Sequence, residues 1–264
     1  MFEAKFNHES RFFAGDYEVS GIETLNISYS AGAKMEYPLG TRKGFNSVLS
    51  QNNQTLTINR NLIYEDYLLN YTGNNSIDGS IYYDGIHYGF NEGYLSSYSL
   101  NCAVGSSPRS SVNIFILDEM TTGVDASDNF QVAPHPLIDI PSQGSITVSC
   151  DNSSTNRVSN FDYSINLKRK PLYGICNKEH QDILLVPPVE YSCSIQIDVD
   201  DAFLANSWDF FEERENKSVN LNIKGRGGTN LQSVSIPNAS LVGESLDVSA
   251  DGALKLSLNY KGHI

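Results

Sequence analysis

The sequence predicts a mainly β protein. Three observations carry that expectation. Apolar residues recur at every second position in short runs, clusters of Gly, Asn, Ser and Asp separate the runs, and the chain is rich in Asn, Ser and Tyr but poor in Lys and Arg. Alternation with a period of two puts one set of side chains on each face of a strand, and polar turn residues end strands, so the pattern suits antiparallel sandwiches or barrels. With 264 residues the chain can fill one large or two ordinary domains without disulfide or metal staples.

In the first half the runs are Ile22, Leu25, Ile27 and Tyr29, then Leu56 and Ile58, then Ile77, Ile81 and Tyr83, then Leu95, Tyr98 and Leu100, then Val112, Ile114 and Ile116. The second half continues with Ile146 and Val148, Phe161 to Leu167, Ile183 to Val186, Ile195 to Val199, Val219 to Ile223, Val234 and Ile236, Leu246 and Val248, and Leu254 to Leu258. Two segments read as short helices, Asn61–Asn70 and Asp200–Phe211, and each follows one strand and precedes another. The stretch Asp118–Ser142 has three prolines and little periodicity, which is how a linker or exposed arm reads. The expected division is therefore a first β-domain over 1–120, a linker or arm over 121–142 and a second β-domain over 143–264.

The halves read as diverged copies. Leu95, Ser99 and Leu100 match Leu241, Ser245 and Leu246 at a constant offset of 146, each group ahead of a turn and a closing apolar strand. Leu95, Leu100, Leu241 and Leu246 are thus the candidate core-strand positions of a repeated domain. Pro38-Leu39-Gly40 pairs loosely with Pro171-Leu172-Tyr173-Gly174. Matched order of elements in both halves favours duplication.

Net charge of −13 and a pI near 4.7 oppose any surface built to grip phosphates, since nucleic-acid affinity depends on neutralising that backbone. No apolar run is long enough to span a bilayer, and the opening MFEAKFNHESRFF lacks the pattern of a secretory signal, so synthesis in the cytoplasm is expected. Cys102, Cys150, Cys176 and Cys193 lie far apart with no CxxC pair and read as reduced, packed thiols.

Catalytic signatures are missing: GxSxG, HExxH and GxxxxGK[ST] do not occur, and the five histidines do not pair at ligand spacing. Gly225-Arg226-Gly227-Gly228 lacks the Lys and helix of a phosphate loop and reads as a hairpin turn. Asp198, Asp200 and Asp201 lack the glycine and distal Glu of a calcium loop, and Glu212, Glu213 and Glu215 are a glycosidase pair only if space arranges them so. The tyrosines crowded between Tyr64 and Tyr98 suit cross-strand packing or subunit contact better than a sugar platform. No enzyme activity, cofactor or metal is therefore expected.

The order of strand pair, long polar connection, helix between strands and closing hairpin, the last in the form SIPNASLVGESLDVSADGALKLSLNYKG, resembles the tail-tube proteins of long-tailed bacteriophages, here with the domain present twice. That resemblance implies two tandem antiparallel sandwich or barrel domains, each with one short helix, and a structural virion protein that joins sheet edges into rings. It implies rings of three chains stacked into a tail tube, with other tail proteins as partners and genomic double-stranded DNA passing through without specific binding. Ala31–Asn53 and Gly174–Gln181 would bridge successive rings, the lining would be net acidic, and assembly would occur in the host cytoplasm. The length leaves open a neck or baseplate ring protein. A carbohydrate-binding sandwich using Tyr82, Tyr83 and Asn91, and a glycoside hydrolase, are the readings from other classes.

Overall fold

A computed structural model describes residues 11–15, 17–31, 34–36, 45–47, 52–83, 86–118, 120–122, 140–141, 144–150, 153–174, 180–199, 217–248 and 254–263. The protein is mainly β and of sandwich type. Its first strands are β1 (Arg11–Ala14), β2 (Tyr17–Glu18), β3 (Ile22–Ala31), β4 (Lys34–Glu36), β5 (Phe45–Ser47), β6 (Asn52–Asn61), β7 (Ile77–Tyr83), β8 (Ile86–Ala103) and β9 (Arg109–Ile116). After β10 (Thr121–Thr122) come β11 (Ile146–Cys150), β12 (Ser153–Thr155), β13 (Val158–Asn166), β14 (Arg169–Tyr173), β15 (His180–Leu185), β16 (Glu190–Val199), β17 (Lys217–Lys224), β18 (Asn230–Val248) and β19 (Leu254–His263).

Alternation builds these strands as the sequence suggests. In β9 the even positions Val112, Ile114 and Ile116 are buried while Ser111, Asn113 and Phe115 face the other way. In β16 the buried set is Tyr191, Cys193, Ile195 and Ile197. The buried faces merge into one contiguous apolar core, and at about 25 cal/mol per Å² of apolar area this burial is the main stabilising term. Gly225–Gly228 forms the tight turn from β17 to β18, closed by Gly225 N–H to Thr229 O, with Gly228 at φ 89° where only glycine is unstrained.

Eight strands run side by side in the order β3-β6-β9-β8-β13-β16-β19-β18, all neighbours antiparallel. β8 and β18 are too long for one sheet. The first part of β8 pairs with β7, which continues to β1 and β2, and the first part of β18 pairs with β17, which continues to β11 and β12. The two long strands thus tie the eight-stranded layer to a second layer.

The strands β11–β19 repeat the pairing scheme of β1–β9. Their irregularities coincide as well. β3 shifts register against β6 between Ile22 and Thr24, and β13 shifts against β16 between Val158 and Asn160. β8 shifts against β9 between Leu95 and Ser97, and β18 against β19 between Leu241 and Gly243. β7 and β17 shift at Ile77/Gly79 and Lys217/Val219. A bulge bends a strand and increases its twist, so equal bulges give the two sets equal curvature.

The helix expected over Asn61–Asn70 is only a 3-10 turn, Leu68–Tyr71, and Asp200–Phe211 lies outside the described residues. Asp66 supplies the reason. Its buried carboxylate accepts from Leu68 N–H at 3.0 Å and Tyr98 Oη–H at 2.6 Å and is paired with Arg60. A side chain that takes up nearby backbone donors competes with the helical ladder. Of the stretch 118–142, Asp118 accepts from the backbone N–H of Asn91 and Glu92, and Thr121–Thr122 pairs with β8.

Removing one member of a buried ion pair leaves the other charge uncompensated, at a cost of about 3–5 kcal/mol. Asp66→Ala should therefore lower the urea midpoint by that equivalent with an unchanged slope, measured by equilibrium denaturation. Burial pushes the Cys102 and Cys193 thiols up to about 12. Both should resist iodoacetamide at pH 8 in the native protein and react once it is unfolded, as read by peptide mass spectrometry.

Candidate functional site: a polar sheet face between two open edges

The core occupies one face of the eight-stranded layer, and the opposite face is mainly polar, with Phe115, Tyr94 and Val242 among its apolar members. Thr24, Asn26 and Ser28 of β3, Thr55, Thr57 and Asn59 of β6, Ser111 and Asn113 of β9, and Ser97, Ser99 and Asn101 of β8 project from it in the first set, by the alternation that buries their neighbours. Asp162 and Ser164 of β13, Ser192, Ser194 and Gln196 of β16, Ser257 and Asn259 of β19, and Ser245 and Asp247 of β18 continue it. Neighbouring strands share hydrogen bonds across it. Ser28 and Thr55 lie at 2.6 Å, Thr57 donates to Asn113 at 2.6 Å, Asn113 donates to Ser97 at 2.7 Å, Asn101 donates to Asp162 at 2.6 Å, and Ser164 and Ser192 share a bond of 2.8 Å. A shallow trough of about 430 Å³ runs over β8, β13, β16 and β19.

Carboxylates do not dominate this face. Glu23, Asp162, Glu190, Asp198 and Asp247 stand among Arg109, Lys255, Lys261 and a majority of hydroxyls and amides. Side chains directly opposite on neighbouring strands are only about 5 Å apart, so rows of like charge would repel one another, whereas hydroxyls and amides satisfy each other.

The two ends of the layer are unequal to its middle. At the centre, β8 pairs with β13, and the seam sets Cys102 opposite Phe161, Leu100 opposite Tyr163 and Tyr98 opposite Ile165. All six are buried. Among the described residues, β3 and the last part of β18 each have a strand on one side only. Their apolar residues are exposed: Ile27 42 %, Tyr29 56 %, Leu246 44 % and Val248 74 %.

The four repeat positions fall accordingly. Leu95 lies opposite Ile114 and Leu241 opposite Tyr260, while Leu100 lies opposite Ser110 and Leu246 opposite Leu256. Leu95 and Leu100 are fully buried and Leu241 packs partly buried against the core, but Leu246 is open because β18 lacks the neighbour that β13 provides for β8. Alternation identified these residues as apolar-face positions. It carried no sign of which lay on an unpaired edge.

Of the residues named for a sugar platform, Tyr82 packs on His87 with ring centroids 4.8 Å apart and the Asn91 amide donates to Asp118. Phe90, Tyr94 and Tyr98 are buried, and Tyr67 stacks on Tyr17. Among the described residues no cluster of three or more His, Cys, Asp or Glu could hold a metal ion, and no helix is long and apolar enough to cross a membrane. Fold and site together define a mainly β protein with a largely polar sheet face and, among the described residues, two edge strands that expose apolar side chains. No protein-family model matches the sequence, and no curated protein matches it.

Asn113 links three strands of the polar face. Asn113→Ala should cost about 1–2 kcal/mol, the price of two lost hydrogen bonds, and lower the thermal midpoint by calorimetry. Asn26→Ala on the exposed edge strand should stay within about 0.5 kcal/mol of the parent.

Proposed function

We propose that this protein is a self-assembling structural subunit whose copies join head to tail, β18 of one chain pairing with β3 of the next. The β8–β13 seam is the observation that carries the reading. β18 stands where β8 does in the scheme, and β3 stands where β13 does. Transferring the seam sets Leu246 opposite Ile27 and Val248 opposite Leu25 across two chains. Those apolar side chains would then be covered as Leu100 and Tyr163 are. An open apolar edge invites further strand pairing, and a closed ring saturates it.

The two strand sets are read as two copies of one domain joined through 121–142, so that each chain supplies two equivalent ring positions. Three chains then close a pseudo-sixfold ring. The eight-stranded layers form its inner barrel, with the hydroxyl and amide face towards the channel. Such a lining offers DNA no continuous array of cations, and phosphate contacts are what make nucleic acid adhere. On this reading the protein is a ring-forming component of a virion. A tandem tail-tube subunit is the form that the element order suggests, assembled in the host cytoplasm with other tail proteins and passing genomic double-stranded DNA. A neck or baseplate ring would use the same seam, and stacking of the rings into tubes distinguishes the two.

Sedimentation and negative-stain microscopy of the full chain should show rings of three copies, with tubes at high concentration. Ile27→Lys and Leu246→Lys, each placing a charge on a half-exposed edge position, should both give monomers with an unchanged circular dichroism spectrum. A parent protein that stays monomeric at every concentration would overturn the reading.

A further inference from the structure

The β14–β15 hairpin does not stand free. It rises from β13 and lies on the first strand set, across the seam. Arg169 donates through Nε to Leu95 O at 2.9 Å and through Nη2 to Gly73 O at 2.5 Å, and its guanidinium sits 5.6 Å from the centre of the Tyr94 ring. Tyr173 Oη donates to Asn53 Oδ1 at 3.3 Å and shares a 2.7 Å hydrogen bond with His180. His180 meets the edge of Phe115 at 4.9 Å. Burial lowers the His180 pKa, a backbone hydrogen bond at Leu117 opposing the shift. The hairpin thus covers the end of β6, β9 and β8 at Asn53, Phe115, Leu117 and Tyr94.

Carried through the repeated pairing, those four positions become Glu190, Lys261, His263 and Ser240. All four line one open groove of about 900 Å³ on the second strand set. Among the described residues, the place that a hairpin fills on the first set is therefore open on the second. Among the described residues there is one further two-stranded hairpin of the same kind. β4 and β5 lie between β3 and β6 as β14 and β15 lie between β13 and β16, and the two hairpins share a register. Lys34 faces Ser47, Met35 faces Asn46 and Glu36 faces Phe45, matching Lys170 with Leu184, Pro171 with Ile183 and Leu172 with Asp182.

We propose that this groove is the seat of the β4–β5 hairpin of the adjacent copy. The inference rests on the head-to-tail reading above: once β3 of one chain pairs with β18 of another, β4 and β5 continue from β3 over the neighbour's β18, β19 and β16. The seam alone would hold two chains by one row of backbone bonds. The hairpin adds a second contact at a distance from the first and fixes the angle between chains, as β14–β15 does within a chain. Of Gly174–Gln181, one of the two segments expected to bridge successive rings, residues 175–179 lie outside the described residues, and the stem that carries it lies on its own chain.

Site-directed cross-linking in a Cys176→Ser background tests this, because Cys102, Cys150 and Cys193 are buried. Ile27→Cys with Leu246→Cys reports the strand seam, and Met35→Cys with Lys261→Cys, bridged by a short bismaleimide, reports the hairpin seat. Both pairs are expected to join chains into covalent oligomers, and maleimide labelling at position 261 alone is expected to be lost on assembly. A seam that cross-links while position 261 labels as fast in the assembly as in the Ile27→Lys monomer would overturn the hairpin seat and leave head-to-tail pairing intact. So would a Met35–Lys261 bridge that forms only within one chain. Failure of the Ile27–Leu246 pair to cross-link overturns both readings.

Discussion

Backbone pairing along the second half of β8 is the contact on which the rest of the structure depends. On one side the strand bonds to β9, and on the other to β13. It is therefore the only line of hydrogen bonds that fuses the two strand sets into one layer among the described residues. The core respects it: Leu100, Cys102, Phe161 and Tyr163 close over the seam, and no gap in burial marks the passage from one set to the other. A sheet continued in this way carries its unsatisfied edges to the ends, where β3 and β18 stand.

Matching bulges explain why the seam can be a template. Strand twist and curvature depend on where extra residues are inserted, and both sets insert them at the same places. The side chains differ between the two sets around that matching backbone. Arg60 faces Ser110 and donates to it at 3.1 Å in the first set, where Ile197 faces Leu256 in the second. A well-packed apolar pair can stand in place of a buried polar one when both partners differ together, and at these positions both differ between the sets. The polar pair is retained where Asp66 also holds Tyr98 and shapes the 3-10 turn.

Alternation along the chain was sufficient to name the β class, most of the longer strands and the apolar positions within them, because a period of two is imposed by the backbone itself, whereas the short strands β1, β2, β4, β5, β10, β12 and β14 gave no run. The equivalence of Leu95 with Leu241 could be read as well, since it needs only local spacing. Other features could not. β18 reads as two separate short runs and β8 only as its second half, because a strand that passes between layers changes its neighbours along its length. Asn61–Asn70 has helical spacing, but Asp66 is bound by Arg60 and Tyr98, which alternation assigns to other strands.

The sequence by itself determined which residues face the core and which face the polar side, for that choice is made residue by residue. Only the tertiary structure decided which of those apolar residues are covered. Leu100 and Leu246 occupy equivalent strand positions with the same spacing, yet one is fully buried and the other is 44 % exposed. Burial depends on the strand alongside, and which strand that is follows from long-range pairing that no local pattern encodes.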